Sequence, residues 1–406
     1  MDLRIQHGIW QVASQNVSAL GNVRVDSPRY VELATSSAFS YGTRESHDQQ
    51  LKLQAMENGK YVDGSLWFYA PNKVAPVFWA VFFLASGLMH AWQCVHYKCW
   101  RVSGLFPWAA LCFVVGYILR EVGAFHYSII NVYIASQVFI ACAPPIYELQ
   151  NYFILSRILY YVPYHSPIHP GRVLTTFGGL SAVVEALNGN GVAYAVNSSL
   201  PKSKQEMGKS LLKAALCLQL AILGCFVLLG AYFHRKCKKA GQLPQNLNAV
   251  LITLYASSAL IGIRTIYRTY EYFSTAAIHF DSSLDPMSLS PVLRYEWFFW
   301  VFEATLMVIN SFLLNARHPM RFLPRDNKIY LAEDGVTEIQ GPGYDDRRNF
   351  LVTIFDPFDF AGMIKGRNMN QRFWETHDVG RREEVTENEV EKGKGVVNGA
   401  VGTASR

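Results

Sequence analysis

Long apolar runs, each close to the length needed to cross a bilayer, recur along the chain from residue 74 onward. A helix needs about 20 mostly apolar residues to span the hydrocarbon core. Seven runs meet or approach this length. They predict an all-α, polytopic integral membrane protein built as a seven-transmembrane-helix bundle. The predicted spans are residues 74–95, 104–119, 129–155, 173–196, 214–233, 249–270 and 295–314.

The chain outside these runs is polar at both ends. Residues 1–73 mix Ser, Asn and charged residues without helical periodicity, which predicts a mostly irregular extracellular segment. Residues 74–314 form the predicted membrane domain. Residues 315–406 form a predicted cytoplasmic tail, in which 350–364 is expected at the membrane surface and the polar end is expected to be disordered.

Basic residues between the spans predict the orientation, because short loops rich in Lys and Arg remain in the cytoplasm. With the N-terminus outside, the inner loops carry the "HRKCKK" run at 234–239 and the basic run at 316–328. Two glycosylation sequons, beginning at Asn16 and Asn197, then fall outside. The sequence therefore predicts glycosylation at both asparagines, an outer N-terminus and a cytoplasmic C-terminus.

Composition supports the membrane class and narrows the partners. Charged residues are 17% of the chain, against roughly 25% in ordinary soluble proteins. The net charge is +6, and its basic residues lie between apolar runs, which argues against nucleic acid as a partner. The seven cysteines are scattered without a CxxC pair, so neither a disulfide framework nor a metal site is predicted.

Catalytic signatures are missing from the sequence, which contains no GxSxG elbow, HExxH pair or P-loop. A metal-dependent intramembrane hydrolase needs several ligands facing one point, whereas His90 is the only histidine well within a span. We therefore expect no enzyme activity, no cofactor and no ATP-driven pump. Membrane lipids are the expected partners.

Ionisable residues inside the spans are the main functional candidates. Each costs roughly 2.5 to 3.5 kcal/mol on insertion scales, so it has to pair, face a cavity or lie at an interface. Residues 264, 268 and 271 lie within about 60° on one face of span six, and residues 296 and 303 share a face of span seven. We predict that the span-six arginines face acids of spans three, four and seven. The predicted polar core and substrate pathway comprises Glu148, Glu185, Arg264, Tyr267, Arg268, Glu271, Glu296 and Glu303, with Arg120 in span two.

Two interpretations of these charges remain open. The ion pairs can simply fix the packing of the helices or lie near the interface, or they can form a polar pathway or headgroup site. Span three also contains Pro144 and Pro145, which predict a kink. In span four, Gly189 and Gly191 predict a close approach of neighbouring helices.

Residues 264–271 read R-x-x-Y-R-x-x-E, and span seven starts with Glu296-Trp297, has an acid at Glu303 and exits through His318-Pro319. With these motifs, the last two spans resemble the fungal RTA-like family, named for resistance to aminocholesterol and also called the lipid-translocating exporter family. Earlier matching positions are Gly116, Tyr117, Arg120, Pro144, Tyr152 and Arg157.

This resemblance covers about residues 70–325 and leaves both tails outside it. Phe113 stands where the family usually has an acid, and Gly178 and Glu185 stand where it usually has Asp and Gln. The family resemblance implies seven spans, an outer N-terminus and a role in lipid handling or stress resistance.

Three functions remain open from the sequence. The first is a lipid exporter of the plasma membrane, the second is a seven-helix receptor or sensor, and the third is a structural or regulatory membrane protein. For an exporter, the acids of spans three to seven outnumber the arginines, which favours an amphiphile with a cationic head, such as a sphingoid base. Glu185 and Glu303 are the expected contacts, because both lie mid-span.

Overall fold

The computed structural model describes residues 71–126, 129–196, 200–276, 290–326 and 328–341, together with 56–57, 60–61 and 352. Most of this part of the chain is helical. Its long helices, in chain order, are α1 (Ala75–His96), α2 (Leu105–Phe125), α3 (Ile130–Tyr161), α4 (Pro170–Val196), α5 (Lys202–Lys239), α6 (Gln245–Ala276) and α7 (297–316).

Shorter elements connect or follow these helices. Helical turns lie at Trp100–Ser103, Pro163–His165, Pro291–Arg294 and Pro319–Arg321. Two antiparallel strand pairs are described, β1 (Met56–Glu57) with β2 (Lys60–Tyr61), and β3 (Ile329–Leu331) with β4 (Glu338–Gln340).

Six of these long helices, all except α4, are apolar and long enough to cross a membrane among the residues described. Helix α4 has 27 residues, which gives a length of about 40 Å. Its glycines, asparagines and Glu185 make it more polar than the others, yet it packs between α3 and α5 like any other member of the bundle. The predicted seven-helix membrane fold is confirmed.

Consecutive helices pack against each other around α3. Each long helix contacts the next in the chain, α7 closes the ring against α1, and α3 also contacts α6 directly. The buried core takes side chains from all seven helices. Apolar side chains such as Leu88, Leu228 and Ile266 are more than half exposed on the outer faces, as lipid contact requires.

The contact between α4 and α5 depends on glycine. A Cβ atom at Gly208 would lie 2.4 Å from the nitrogen of Ala195 and 2.7 Å from the carbonyl oxygen of Gly191. No side chain fits there, so the close approach predicted at Gly191 is present. Helix α3 continues through Pro144 and Pro145, and the kink at these residues stays a prediction.

The segment after α7 folds back onto the end of α3. Arg157 is buried and donates to three backbone carbonyls of this segment, those of Pro324, Asp326 and Ile329, at 3.4, 2.6 and 3.0 Å. The Tyr161 hydroxyl donates to the Glu338 carboxylate in β4 at 2.9 Å. The first part of the predicted tail is thus an ordered hairpin docked on the bundle.

Several predictions for the ends and loops fall on residues outside the described ranges. These are the irregular character of most of 1–73, nearly all of the surface segment 350–364, the disordered C-terminal end, and the sequon residues Asn16 and Asn197.

Candidate functional site

The centre of the candidate site is an ion pair between α6 and α7. The Arg264 Nε atom lies 2.9 Å from both carboxylate oxygens of Glu303, and its Nη2 atom lies 2.6 Å from Oε1. Glu303 is fully buried and Arg264 is 5% exposed. A guanidinium and a carboxylate in this arrangement form a charge-assisted, geometrically specific pair. The structure therefore places Arg264 against an acid of span seven, as the shared helix face predicts.

A second pair extends this contact toward the C-terminal end of α6. Arg268 Nη1 lies 2.6 Å from Glu271 Oε2, and Arg268 Nε lies 3.7 Å from Glu303 Oε2. The Tyr267 hydroxyl donates to Glu271 Oε1 at 3.3 Å. Both Arg268 and Glu271 keep about a quarter of their side chains exposed. Charge thus continues from the buried Glu303 to a partly exposed region near the end of the helix.

Glu303 lies in an unusual stretch of backbone. Residues Trp300–Thr305 form a π-helix, and the Thr305 hydroxyl donates to the Trp300 carbonyl, five residues earlier, at 2.8 Å. π turns inside α-helices are rare and occur frequently at functional sites. Apolar periodicity gives no signal for such a turn, so the sequence did not predict it.

Glu296 does not face the arginines of α6, and that prediction is wrong. Its Oε1 atom accepts from Arg120 Nη2 of α2 at 2.9 Å, and its Oε2 atom accepts from the backbone N–H of Asn72 at 2.9 Å. The prediction assumed a regular α-helix from residue 296 to Glu303. Because the π turn intervenes, seven residues no longer return to the same face. The Arg120 guanidinium also stacks over the Phe299 ring at 4.1 Å.

Two further acids approach from α3 and α4. Glu148 is 3% exposed and accepts from Gln219 Nε2 at 3.2 Å and from the Tyr152 hydroxyl at 3.5 Å. Glu185 is half-buried on α4. The two carboxyl groups interact electrostatically with each other and with Arg264. This side of the site therefore brings together two carboxyl groups, neither of which forms a salt bridge among the described residues.

These residues form what we call the ionic cluster. It includes every predicted pathway residue except Glu296 and Arg120, which pair elsewhere. It adds two residues, of which sequence reasoning named Tyr152 only as a position that matches the family and missed Gln219. A polar glutamine inside the apolar run "LCLQLAIL" was the available signal for one of them. The ionic cluster comprises Glu148, Tyr152, Glu185, Gln219, Arg264, Tyr267, Arg268, Glu271 and Glu303.

Comparison with known families identifies the bundle. The family model described as "RTA1 like protein" matches residues 106–326, which is more than half of the chain. The chain belongs to the RTA1-like family. The matched region runs from the first turn of α2 to beyond α7, so it contains the whole ionic cluster. This RTA1-like chain matches no solved structure.

Three curated relatives carry names related to lipid movement. The chain is 46% identical over 291 residues to a "Lipid-translocating exporter-like protein RTA1" of Leptosphaeria maculans, with 69% of this chain and 56% of that protein covered. A protein of the same name from Ajellomyces capsulatus is 29% identical over 247 residues, covering 58% of this chain and 73% of that protein. A "Probable lipid transporter atnI" of Emericella nidulans is 24% identical over 296 residues, covering 67% of this chain and 73% of that protein. This RTA1-like chain thus spans a little over half the length of its Leptosphaeria relative.

Proposed function

We propose that this RTA1-like protein moves lipids across the membrane in which it lies. The names of its relatives support lipid transport as the general activity. The observation that carries the proposal is the ionic cluster, because charged side chains inside a membrane bundle are costly and mark substrate pathways. A lipid that changes leaflets has to bring its polar head through this region.

We further propose that the transported lipid has a cationic head, like a sphingoid base. Within the ionic cluster, Arg264 pairs with Glu303, and Arg268 pairs with Glu271. Glu148 and Glu185 are then the acids without an arginine of their own among the described residues. An ammonium head can pair with these carboxylates while its chain stays in lipid, which limits the cost of desolvation. Glu303, favoured as a contact from the sequence, is occupied by Arg264, and Glu148 replaces it in the proposal.

The proposal describes a transporter and not an enzyme, and it places the protein in the plasma membrane with the N-terminus outside. Export of toxic amphiphiles from that membrane would give the resistance role that the family name implies. The driving force is a gradient or a partner, because no nucleotide-binding motif is present in the sequence.

The test uses the purified full chain in liposomes with a labelled trimethylammonium sphingoid analogue. A permanent charge makes spontaneous crossing slow, so protein-dependent movement stands out from that of protein-free vesicles. We expect wild type to move the analogue, and we expect Glu148→Gln and Glu185→Gln to slow it at matched amounts of protein. Glu206→Gln is the control, since Glu206 forms an exposed pair with Lys209 at 2.8 Å.

Each outcome of this test has a defined meaning. If wild type moves the analogue no faster than protein-free vesicles, transport of cationic lipids is wrong. If wild type moves it and both interior variants match wild type, the two carboxylates have no role. If Glu206→Gln slows movement as much as the interior variants do, the effect reflects overall charge and not the cluster.

A further inference from the structure

A second polar zone, which shares no residue with the ionic cluster, lies along the inner faces of α1 and α7. Asn310, Ser311 and Asn315 of α7 are exposed by 2% or less, and Ser86 and His90 of α1 are fully buried. Polar side chains at such positions in membrane bundles hydrogen-bond between helices. We call this zone the polar column. It comprises Ser86, His90, Gln93, Tyr117, Tyr147, Asn310, Ser311, Asn315 and His318.

Hydrogen bonds connect the polar column across α1, α3 and α7. The Ser311 hydroxyl is the junction, because it lies 2.5 Å from the Ser86 hydroxyl and 3.4 Å from His90 Nε2, and it accepts from the Tyr147 hydroxyl at 2.8 Å. Asn315 Nδ2 donates to the Ser86 hydroxyl at 2.6 Å. Groups that exchange hydrogen bonds at these distances form a connected chain of donors and acceptors.

Further atoms of the polar column are buried and have no hydrogen-bond partner among the described protein groups. Buried polar groups are nearly always satisfied, and where protein groups do not serve, ordered water does. The column therefore has the donors and acceptors to hold water between its protein links. The atoms are the Tyr117 hydroxyl, both amide atoms of Asn310, His90 Nδ1, Gln93 Oε1, Asn315 Oδ1 and His318 Nε2.

These atoms occur at both ends of the column. The Tyr117 ring lies 6.1 Å from the ring of Trp300, the first residue of the π turn that contains Glu303 of the ionic cluster. His318 is buried just beyond the last residue of α7. Asn310 lies between them, about 10 Å along the helix from Glu303. The polar column thus leads from the ionic cluster to the opposite end of α7.

We propose that the polar column is a proton pathway that runs from Glu303, along water held by the Asn310 amide, through Ser311 and His90 to His318. Chains of acidic, histidine and hydroxyl groups inside membrane bundles serve as proton relays in pumps and transporters. Proton movement along this route supplies the driving force for lipid movement through the ionic cluster. That coupling rests on the proposed lipid transport, whereas proton conduction stands independently of it.

His90 is the relay group in this pathway. In the direction of His318, an excess proton carried by water reaches the Ser311 oxygen as the Ser311 hydroxyl gives its own proton to His90 Nε2, and the ring releases its Nδ1 proton to water beside Nδ1. The imidazole remains neutral but changes tautomer, and exchange with water resets it. One proton moves along the column, and no covalent bond other than N–H and O–H bonds changes.

The groups around His90 are suited to this role. Its ring stacks on Phe106 of α2 at 4.8 Å, which holds it in place. The titratable groups that act on it are His318, by electrostatic interaction, and Tyr147 of α3, through Ser311. Beyond His318 lies the charge of Arg321, and at the other end Glu303 is paired with Arg264.

The test is proton flux into liposomes that contain the purified full chain and the pH-sensitive dye pyranine. A potassium diffusion potential, negative inside and set with valinomycin, drives protons into the vesicles. We expect wild type to acidify the vesicles faster than protein-free vesicles do. His90→Gln keeps hydrogen-bonding groups but cannot relay a proton, and Ser311→Ala removes the junction, so each should slow the flux by about tenfold or more. Ser258→Ala, a buried serine of α6 outside the column, should match wild type.

The same vesicles separate this inference from the proposed function. Lipid movement without proton flux overturns the pathway and leaves lipid transport standing. Proton flux without movement of the cationic analogue supports the pathway and removes transport of cationic lipids. Lipid movement at the same rate with and without a pH gradient, in vesicles that conduct protons, removes the coupling. Wild-type flux in both His90→Gln and Ser311→Ala overturns this route through the bundle.

Discussion

Glu303 has no exposed surface, so its negative charge is stable in the bundle only because Arg264 lies against it. Burying a charge costs several kcal/mol, and the pair recovers this cost only when its geometry is good. Arg268 contributes less, since its nearest recorded distance to Glu303 is 3.7 Å and it is about a quarter exposed. The two arginines are therefore unequal partners of one carboxylate.

The first prediction concerns this inequality. Arg264→Gln should lower the free energy of unfolding by about 3 to 5 kcal/mol, because Glu303 is left buried and unpaired. Adding Glu303→Gln should recover part of that loss, whereas Arg268→Gln alone should cost less. Thermal stability in detergent, followed by fluorescence-detected size-exclusion chromatography, is measured for wild type, the three single variants Arg264→Gln, Glu303→Gln and Arg268→Gln, and the double variant. Simple additivity of Arg264→Gln and Glu303→Gln would show that the two residues are not coupled.

Contact between α4 and α5 illustrates how whole elements depend on the size of one residue. At Gly208 the backbones approach so closely that a methyl group would overlap main-chain atoms of the facing helix. Main-chain atoms cannot rotate away as a flexible side chain can. The helices have to separate locally if the glycine is replaced.

The second prediction compares two glycines of the same helix. Gly208→Ala should cost about 1 to 3 kcal/mol of stability, as overpacking does in well-packed interiors. Gly224→Ala is the matched control, because a Cβ there has no neighbour within 4 Å and should be tolerated. The measurement compares the melting temperatures of the two variants with that of wild type, and only Gly208→Ala should be lowered. Equal melting would mean that the helices adjust at Gly208 without strain.

The hairpin of β3 and β4 is held to the bundle through the end of α3. Arg157 gives its hydrogen bonds to backbone carbonyls, so its effect does not depend on which side chains the docked segment carries. Backbone carbonyls buried without a donor are unfavourable. Loss of Arg157 should therefore release the segment and not merely weaken it.

The third prediction is that Arg157→Ala speeds amide exchange across residues 324–341. Hydrogen–deuterium exchange of the purified chain, read by mass spectrometry, measures it. Arg325→Ala is the control, since Arg325 is an exposed basic residue of the same segment and its loss should leave exchange unchanged. Equal exchange in wild type and Arg157→Ala would mean that the hairpin docks without this arginine.

Elements that follow from local pattern were predictable, and those that need a three-dimensional partner were not. The apolar runs give the helices because length and hydrophobicity alone decide what can cross a bilayer. The pairing of Arg264 with an acid of α7 follows from which residues share a helix face. The pairing of Arg120 with Glu296 does not follow from helix faces, because periodicity does not show which neighbouring helix lies opposite. The β3–β4 hairpin had a local signal, the Asp334-Gly335 turn, that was not used.

Among the described residues, the basic segments after α5 and after α7 lie at the same end of the bundle, whereas Lys202, Lys204 and Lys209 lie at the start of α5. The loop after α5 begins with the lysines that end that helix, and the Arg157 contact brings the segment after α7 to the end of α3. For this seven-helix bundle, the positive-inside rule predicts that the end with the segments after α5 and α7 faces the cytoplasm.

The fourth prediction is that protease added to intact cells removes an N-terminal tag and leaves a C-terminal tag in place. This result is expected because positive loops are retained on the cytoplasmic side, which predicts an N-terminus outside. Permeabilised cells provide the control, because both tags should then be cleaved. Protection of the N-terminal tag in intact cells together with loss of the C-terminal one would reverse the orientation.

Because of the π turn in α7, the charge of Glu303 affects how the first turns of that helix are rotated about its axis. Such a turn takes one more residue than an α turn, so reverting it to regular α-helix would rotate the preceding residues by about 100° relative to those that follow. Glu303 lies within this turn, and a rotation of that size would carry its carboxylate away from Arg264. The ion pair therefore opposes the rotation, and protonation of Glu303 would weaken that opposition. Binding of one proton to this carboxylate would then favour rotation of the first turns of α7. These turns also carry the aromatic rings packed around Arg120.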